Sequence, residues 1–365
     1  MKPSNGLDKK RVLFFINSEV GGGERMSVNI SKMLPHDEFL VKYIIIKDKK
    51  YDKTSTSIID FIPKGCDIII IEAKNQIDKV WKFFRIIKKL NPDIVFASHY
   101  NIIDKILIMK PFLRGVKFII RAENQYSTFS TIKKQIIQLT YSKADVMIAQ
   151  TDEMKANFVD NRVLPSNRVV TLENPVDKDY IESKIAGKSS PYPNDGKKHI
   201  VAVGRFGYQK GYDILVKALG KVLNTGNKVD LYIVGSYSGR WQPFYDEVMQ
   251  LARELKIEDA IHCVGFRDNP YVYLKYADCF VLSSRWEGLP NVLVESLFLK
   301  TPVAAFKCIP IIERMVRDGV DGYLAEKENP NSLANAIINA MKMGRTNPVY
   351  RGATKEDYFS LFRNV

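Results

Sequence analysis

The chain has 365 residues, 45% of them hydrophobic and 26% charged, and a net charge of +14. That length supports two domains with full cores, and the composition is that of an ordinary globular protein. No apolar run approaches the roughly eighteen residues of a spanning helix, and the first, residues 12–16, is too short for a signal-peptide core, so cytoplasmic residence is the expectation.

Short β-rich apolar runs alternate with helical patterns. Strands are predicted at 12–17, 39–46, 67–72, 93–98, 117–121, 145–149 and 169–172, with helices between them such as 24–34, 76–90 and 131–142. This alternation implies a parallel sheet covered on both faces. Residues 181–198 break it with Gly187, Ser189, Ser190, Pro191, Pro193, Asn194, Asp195 and Gly196, and read as a linker. A second series follows, with strands at 199–204, 229–234, 261–264, 279–282 and 302–306 and helices at 212–223, 244–255, 292–299 and 332–341. The fold class is α/β, with two doubly wound domains at 1–180 and 199–348 and a terminal helix in 349–365 expected to return to the first. Ligands of such sheets bind beyond the carboxyl ends of the strands, so a cleft between the two domains is the expected site.

Cys66, Cys263, Cys279 and Cys308 form no Cys-x-x-Cys pair and read as buried free thiols. The positive charge leans towards the first half: residues 1–180 hold thirty basic and twenty-one acidic side chains, the remainder twenty-five and twenty. Nucleic acid, an anionic bilayer or an anionic substrate would each explain such an excess. Nucleic acid lacks support, because no zinc-finger spacing and no RNP-like aromatic strand is present. Residues 81–90 are basic and aromatic. They read first as a helix packing Phe, Ile and Leu on a sheet. The alternative rests their polar face, with Lys133 and Lys134, on the anionic inner leaflet, each basic residue contributing about 1 kcal/mol.

The most informative stretch runs from Trp286 to Glu295. It follows a buried strand, places Pro290 where a helix begins, and sets Glu287 and Glu295 on either side of that start with seven residues between them. A helix N-terminus offers N–H donors and a positive dipole end to a phosphate. Glu295 lies about 7 Å along the axis. Two carboxylates flanking an anion site suit hydroxyl-bearing rings on both sides of a diphosphate, which is the layout of a nucleotide-sugar.

Taken in order, Gly21-Gly22-Gly23-Glu24-Arg25, Ser98-His99, Glu173-Asn174-Pro175, Val203-Gly204-Arg205 with Lys210-Gly211, Val264-Gly265-Phe266 and Glu287 to Glu295 resemble the motifs of retaining glycosyltransferases of family 4. The resemblance covers nearly the whole chain and implies the GT-B fold of two Rossmann-like domains, the N-terminal one for the acceptor and the C-terminal one for the donor. It implies that Glu287 holds donor-sugar hydroxyls and Glu295 the ribose, as carboxylates accepting from vicinal diols. It gives the backbone of Gly288, Leu289, Asn291 and Val292 to the sugar and phosphate, Arg205 and Lys210 to the departing diphosphate, and Phe266 and Arg267 to the base. His99 would position the sugar or its phosphate. Gly22 and Gly23 would let donor and acceptor approach the backbone. Arg121, Glu123 and Asn124 would line the acceptor side. Met26 leaves Gly-x-Gly-x-x-Gly incomplete, against a dinucleotide site.

No cofactor and no metal is expected, because protein cations replace it. Asp177-Lys178-Asp179 mimics a metal motif of another transferase fold but follows a hinge turn. Lys307-Cys308-Ile309-Pro310-Ile311 departs from the Gly-Gly-Ile-Pro-Glu loop usual in the family. The expected reaction moves a sugar, from a UDP-sugar by preference, to a polyprenyl-diphosphate-linked or other glycan acceptor in O-antigen or capsule assembly. The protein would be cytoplasmic, or peripheral on the inner face of the membrane. The rival readings are a nucleotide-sugar epimerase or hydrolase of the same fold and a non-catalytic membrane scaffold.

Overall fold

The computed structural model describes residues 9–18, 21–47, 58–350 and 352–365. The chain starts with β1 (Lys10–Asn17), α1 (Gly22–Lys32), β2 (Phe39–Lys47), β3 (Asp67–Glu72), α2 (Gln76–Leu90), β4 (Ile94–Ala97) and α3 (Tyr100–Ile108). It continues through β5 (Lys117–Arg121), α4 (Thr131–Tyr141), β6 (Val146–Ala149), α5 (Asp152–Asp160) and β7 (Val169–Thr171). The second series is α6 (Lys178–Ile185), β8 (Lys198–Val203), α7 (Tyr212–Asn224), β9 (Val229–Val234), α8 (Gln242–Glu254), β10 (Ile261–Gly265) and α9 (Tyr271–Tyr276). It ends with β11 (Cys279–Leu282), α10 (Asn291–Phe298), β12 (Val303–Phe306), α11 (Ile311–Met315), β13 (Gly322–Ala325), α12 (Pro330–Ala340) and α13 (Lys355–Asn364).

These elements form two compact units, Met1–Pro175 with Gly352–Val365, and Val176–Arg351. The first holds a seven-stranded sheet in the order β3-β2-β1-β4-β5-β6-β7, the second a six-stranded sheet in the order β10-β9-β8-β11-β12-β13. Their registered ladders are parallel. Strands buried on both faces need continuous apolar runs, as in Val12 to Ile16 and Cys279 to Leu282. One face of the first sheet packs α2 to α5 through Phe83, Ile106, Ile137 and Phe158. The other packs α1 through Met26 and Ile30, and α13 through Tyr358 and Phe362. The last helix thus belongs to the first unit.

Three sequence expectations change. Residues 181–198 are not a free linker. They carry the end of α6, and Ile181 and Tyr192 are buried in the core of the second unit. Tyr192 stacks flat on His199 at 4.8 Å and donates its hydroxyl to the Tyr273 carbonyl at 2.7 Å. The Pro/Gly/Ser composition marked irregular backbone correctly but hid these anchors. Strand β13 went unseen because it has four residues and opens on Gly322. A Cβ there would sit 2.1 Å from the Val303 carbonyl oxygen, so the close approach of strands demands glycine. Finally, all four thiols are free, but only Cys279 is fully buried; Cys66, Cys263 and Cys308 are half-buried.

Candidate active site

In the second unit, the loops after β8, β10 and β11 and the start of α10 gather at the carboxyl edge of the sheet. The β8 loop reaches β11 because Gly211, at φ +62°, lets its backbone pass the Ser283 carbonyl, where a Cβ would lie 2.3 Å away. Ser283 Oγ donates to the Lys210 carbonyl at 2.8 Å, and the Arg285 N–H donates to the Gln209 carbonyl at 2.8 Å. Two loops more than seventy residues apart are thereby fixed side by side.

That fixation aims Lys210 at Glu287. Lys210 Nζ donates to Glu287 Oε1 at 2.7 Å, and Ser284 Oγ donates to the same oxygen at 2.6 Å. Oε2 has one long contact, from Gln209 Nε2 at 3.5 Å. The pair is mostly screened from water, so its Coulomb attraction is stronger than on an open surface. Arg205 is exposed, with its guanidinium 5.0 Å from the centre of the Trp241 ring. Pro290 precedes α10 and its carbonyl takes the Leu293 and Val294 N–H groups. Leu289 is buried in the core, whereas Gly288, Asn291 and Val292 are half-buried. Glu295 is the fifth residue of α10, and Tyr271 Oη of α9 donates to its Oε1 at 3.3 Å. Phe266 and Arg267 stand exposed after β10, beyond Gly265 at φ +78°.

Several participants escaped the sequence reading. Arg285 is buried, forks onto both Asp213 oxygens at 3.0 and 2.7 Å, and donates to the Tyr208 carbonyl at 2.7 Å. Burial would pull its guanidinium down, and the Asp213 bonds more than reverse this. Cys308, in the loop that departs from the family, lies within electrostatic reach of Glu287 and Lys210. Burial first, then the Glu287 carboxylate, push its thiol up to about 12. A Ser-Ser-Arg run directly after a buried strand was the available signal for Ser284 and Arg285; Tyr271 had none.

In the first unit, Glu123 rests against the bare Cα of Gly23, where a Cβ would meet Glu123 Oε1 at 1.7 Å. Gly22 opens α1, and Ser27 Oγ meets Ser98 Oγ at 2.7 Å, which ties α1 to the end of β4. His99 caps α3: its Nδ1 accepts the Asn101 N–H at 3.3 Å and its ring stacks on Tyr100 at 4.6 Å. An accepting Nδ1 puts the proton of the neutral ring on Nε2. Asn124 follows, half-buried. Arg121 corrects the expectation that it lines an open acceptor surface. It is 2% exposed and its Nη2 donates to Asn174 Oδ1, so it braces the end of β5. Burial pulls that guanidinium below its ordinary value. Glu24 is buried and accepts from Asn17 Nδ2 at 2.9 Å.

Asp177 caps α6 by accepting the Tyr180 N–H at 3.1 Å. Asp195, His199 and Asp230 gather at the opposite, amino end of the second sheet. There Lys197 Nζ already bonds both Asp230 oxygens at 3.0 Å.

Residues 20–180 match the family model described as Glycosyltransferase Family 4, and residues 186–356 the one described as Glycosyl transferases group 1. A Campylobacter jejuni N-acetylgalactosamine-N,N'-diacetylbacillosaminyl-diphospho-undecaprenol 4-alpha-N-acetylgalactosaminyltransferase is 25% identical over 95% of this chain and 94% of its own length. An uncharacterized glycosyltransferase of Methanocaldococcus jannaschii is 28% identical over 63% of this chain, a match that spans 59% of the relative. Among solved structures, Anabaena HepE in complex with UDP and glucose superposes with a TM-score of 0.78 at 17% identity, covering 97% of this chain and 98% of that one, a likeness of fold. With a family 4 segment followed by a group 1 segment on two parallel sheets, this chain belongs to the glycosyltransferases of GT-B fold.

Proposed function

We propose that the chain moves a sugar from a nucleotide-sugar, a UDP-sugar by preference, to a lipid-linked or oligosaccharide acceptor, with retention of anomeric configuration, in the assembly of a surface polysaccharide. The observation that carries this reading is the Lys210–Glu287–Ser284 cluster beside the start of α10, with Glu295 farther along the same helix. Glu287 Oε1 is saturated by Lys210 and Ser284, so Oε2 is the oxygen that accepts a sugar hydroxyl. Glu295 accepts from the ribose diol. Lys210 and Arg205 meet the charge that grows on the diphosphate as the glycosidic bond breaks, without a metal ion. The Nε2–H of His99 is a donor suited to a sugar or phosphate oxygen. In front-side attack the leaving phosphate oxygen takes the acceptor hydroxyl proton, so no carboxylate acts as nucleophile.

The relatives support the pathway. The Campylobacter enzyme's name specifies a diphospho-undecaprenol acceptor, and an Erwinia amylovora relative, 22% identical over 89% of this chain, is an amylovoran biosynthesis glycosyltransferase. The test incubates the protein with UDP-sugars and a polyprenyl-diphosphate glycan and follows UDP release and the new anomeric proton by NMR. The expected product keeps the donor's anomeric configuration. An inverted product contradicts retention, and rapid epimerisation of donor without acceptor contradicts transfer.

A further inference from the structure

At the amino end of the second sheet, metal-ligating side chains from four successive places in the fold come together. Asp195 lies in the loop before β8, His199 on β8, Asp230 on β9 and His262 on β10. His199 is in register with Asp230, and His262 with Tyr232 two residues farther along β9, so all of them share one face of the sheet. Two of the chain's four histidines therefore face the same carboxylate. His199 Nε2 is 3.6 Å from Asp195 Oδ1, and the ligand atoms of Asp195, His199 and Asp230 all lie within 4.8 Å of one another. His262 Nε2 is 3.2 Å from Asp230 Oδ2.

The histidine on β8 is the group that asks for a ligand. His199 is 7% exposed, and its Nε2 finds no hydrogen-bond partner among the described residues. A buried ring nitrogen left in that state costs free energy. The ring is held in place: Tyr192 stacks on it at 4.8 Å with the planes 3° apart, and Tyr232 meets it edge-on at 5.7 Å. Nε2 is thus fixed beside the two carboxylates. Tetrahedral zinc, with bonds of about 2.0–2.1 Å, sets its ligand atoms about 3.3 Å apart, and the separation of 3.6 Å between His199 and Asp195 is close to that. Against the two carboxylates stands one ammonium, Lys197, whose Nζ bonds both Asp230 oxygens at 3.0 Å. Asp230 is buried but Lys197 is exposed, so the lysine can leave that carboxylate for water.

We propose that Asp195, His199 and Asp230 bind one zinc ion, which takes the place of the Lys197 ammonium on Asp230. An imidazole among carboxylates suits zinc, whereas calcium and magnesium take oxygen ligands. The His262 ring N–H, donating to Asp230 Oδ2, holds that carboxylate in position. The ion joins the loop before β8 to β8 and β9, and so fastens the segment that carries the buried Tyr192 onto the sheet. It lies at the end of the sheet opposite Lys210 and Glu287, so its role is structural and it takes no part in sugar transfer. The proposal does not depend on the identity of donor or acceptor.

The test strips the full chain with EDTA, dialyses it and titrates it with zinc chloride by calorimetry. One equivalent is expected to bind, and saturating zinc to raise the melting temperature. A lost ligand costs at least as much as a lost outer partner, so His199→Gln and Asp195→Asn are each expected to lower the affinity by about a hundredfold or more, and His262→Gln by about tenfold. Asp195 is exposed, and asparagine keeps the oxygen that accepts the Lys197 N–H, so that variant keeps the fold even if His199→Gln does not. Lys197→Met is expected to tighten binding, because the competing ammonium is gone. His36→Gln, at an exposed histidine of the first unit, leaves it unchanged. Cobalt(II) in place of zinc gives the visible bands of nitrogen and oxygen ligation without thiolate charge transfer, which separates this site from the four free thiols. Absence of saturable zinc binding, full affinity in Asp195→Asn, no tightening in Lys197→Met, or thiolate charge transfer with cobalt would overturn the proposal.

Discussion

The two carboxylate oxygens of Glu287 have different partners. Oε1 compensates the Lys210 ammonium and receives Ser284, while Oε2 receives the long contact from Gln209 Nε2. Lys210→Ala removes a preorganised cation, and kcat is expected to fall by about 10²–10³ with a smaller effect on acceptor KM. A loss confined to KM would mean that Lys210 acts in ground-state binding alone. Steady-state kinetics on the purified variant separates the two. Glu287, Arg205 and Lys210 draw notice in the sequence because each lies next to a glycine, and Glu295 because of its spacing from Glu287 across a helix start. Ser284 draws less, and the Arg285–Asp213 and Tyr271–Glu295 pairings were hidden, since their partners are 72 and 24 residues apart. Pairing at such range depends on how strands stack, which local pattern does not encode. Arg121 misled for a related reason: a charge at a strand end looks like a ligand group until Asn174 and Tyr358 are seen to enclose it.

At the scale of elements, the alternation of apolar runs and helical patterns was enough to read twelve of the thirteen strands among the described residues, and β13 of that set, too short and opening on glycine, was lost. Gly235, after β9, shows how tightly the strand ends pack. A Cβ there would fall 1.9 Å from the Gly204 carbonyl oxygen, backbone against side chain with nothing flexible to yield. Gly235→Ala is expected to destabilise by about 1–3 kcal/mol, measured by urea unfolding. An unchanged midpoint would show that the β8 loop relaxes freely. Helix α13 starts with a capping box: Thr354 Oγ1 accepts the Asp357 N–H, and the Asp357 carboxylate accepts the Thr354 N–H. Thr354→Ala should cost about 1 kcal/mol. The helix matters beyond its own turn, because Tyr358 and Phe362 close one face of the first sheet and Tyr358 Oη donates to the Glu173 carbonyl at 3.0 Å.

For the molecule as a whole, the response to acid draws on the Arg317–Asp321 pair just before β13, where Asp321 is fully buried. Burial raises the Asp321 carboxyl, but the Arg317 guanidinium and the Arg317 N–H outweigh it and hold the group below the usual carboxylate range. A folded value below the unfolded one means that stabilisation is complete above the unfolded carboxyl value, about 3.9, and is lost as pH falls through the folded one. Asp321→Asn should therefore be less stable than wild type at neutral pH, with the gap narrowing below about pH 4. A gap independent of pH would assign the loss to packing. Binding of a nucleotide-sugar by the Glu287–Glu295 segment is measured by equilibrium thermal unfolding against a panel of UDP- and GDP-sugars. A ligand at about a hundredfold over its Kd adds about 2.7 kcal/mol to the folded state. A raised melting temperature is expected with at least one nucleotide-sugar, and that rise is expected to be lost in Glu295→Ala; no rise with any of them, or an equal rise in Glu295→Ala, would rule out a nucleotide-sugar site at this segment.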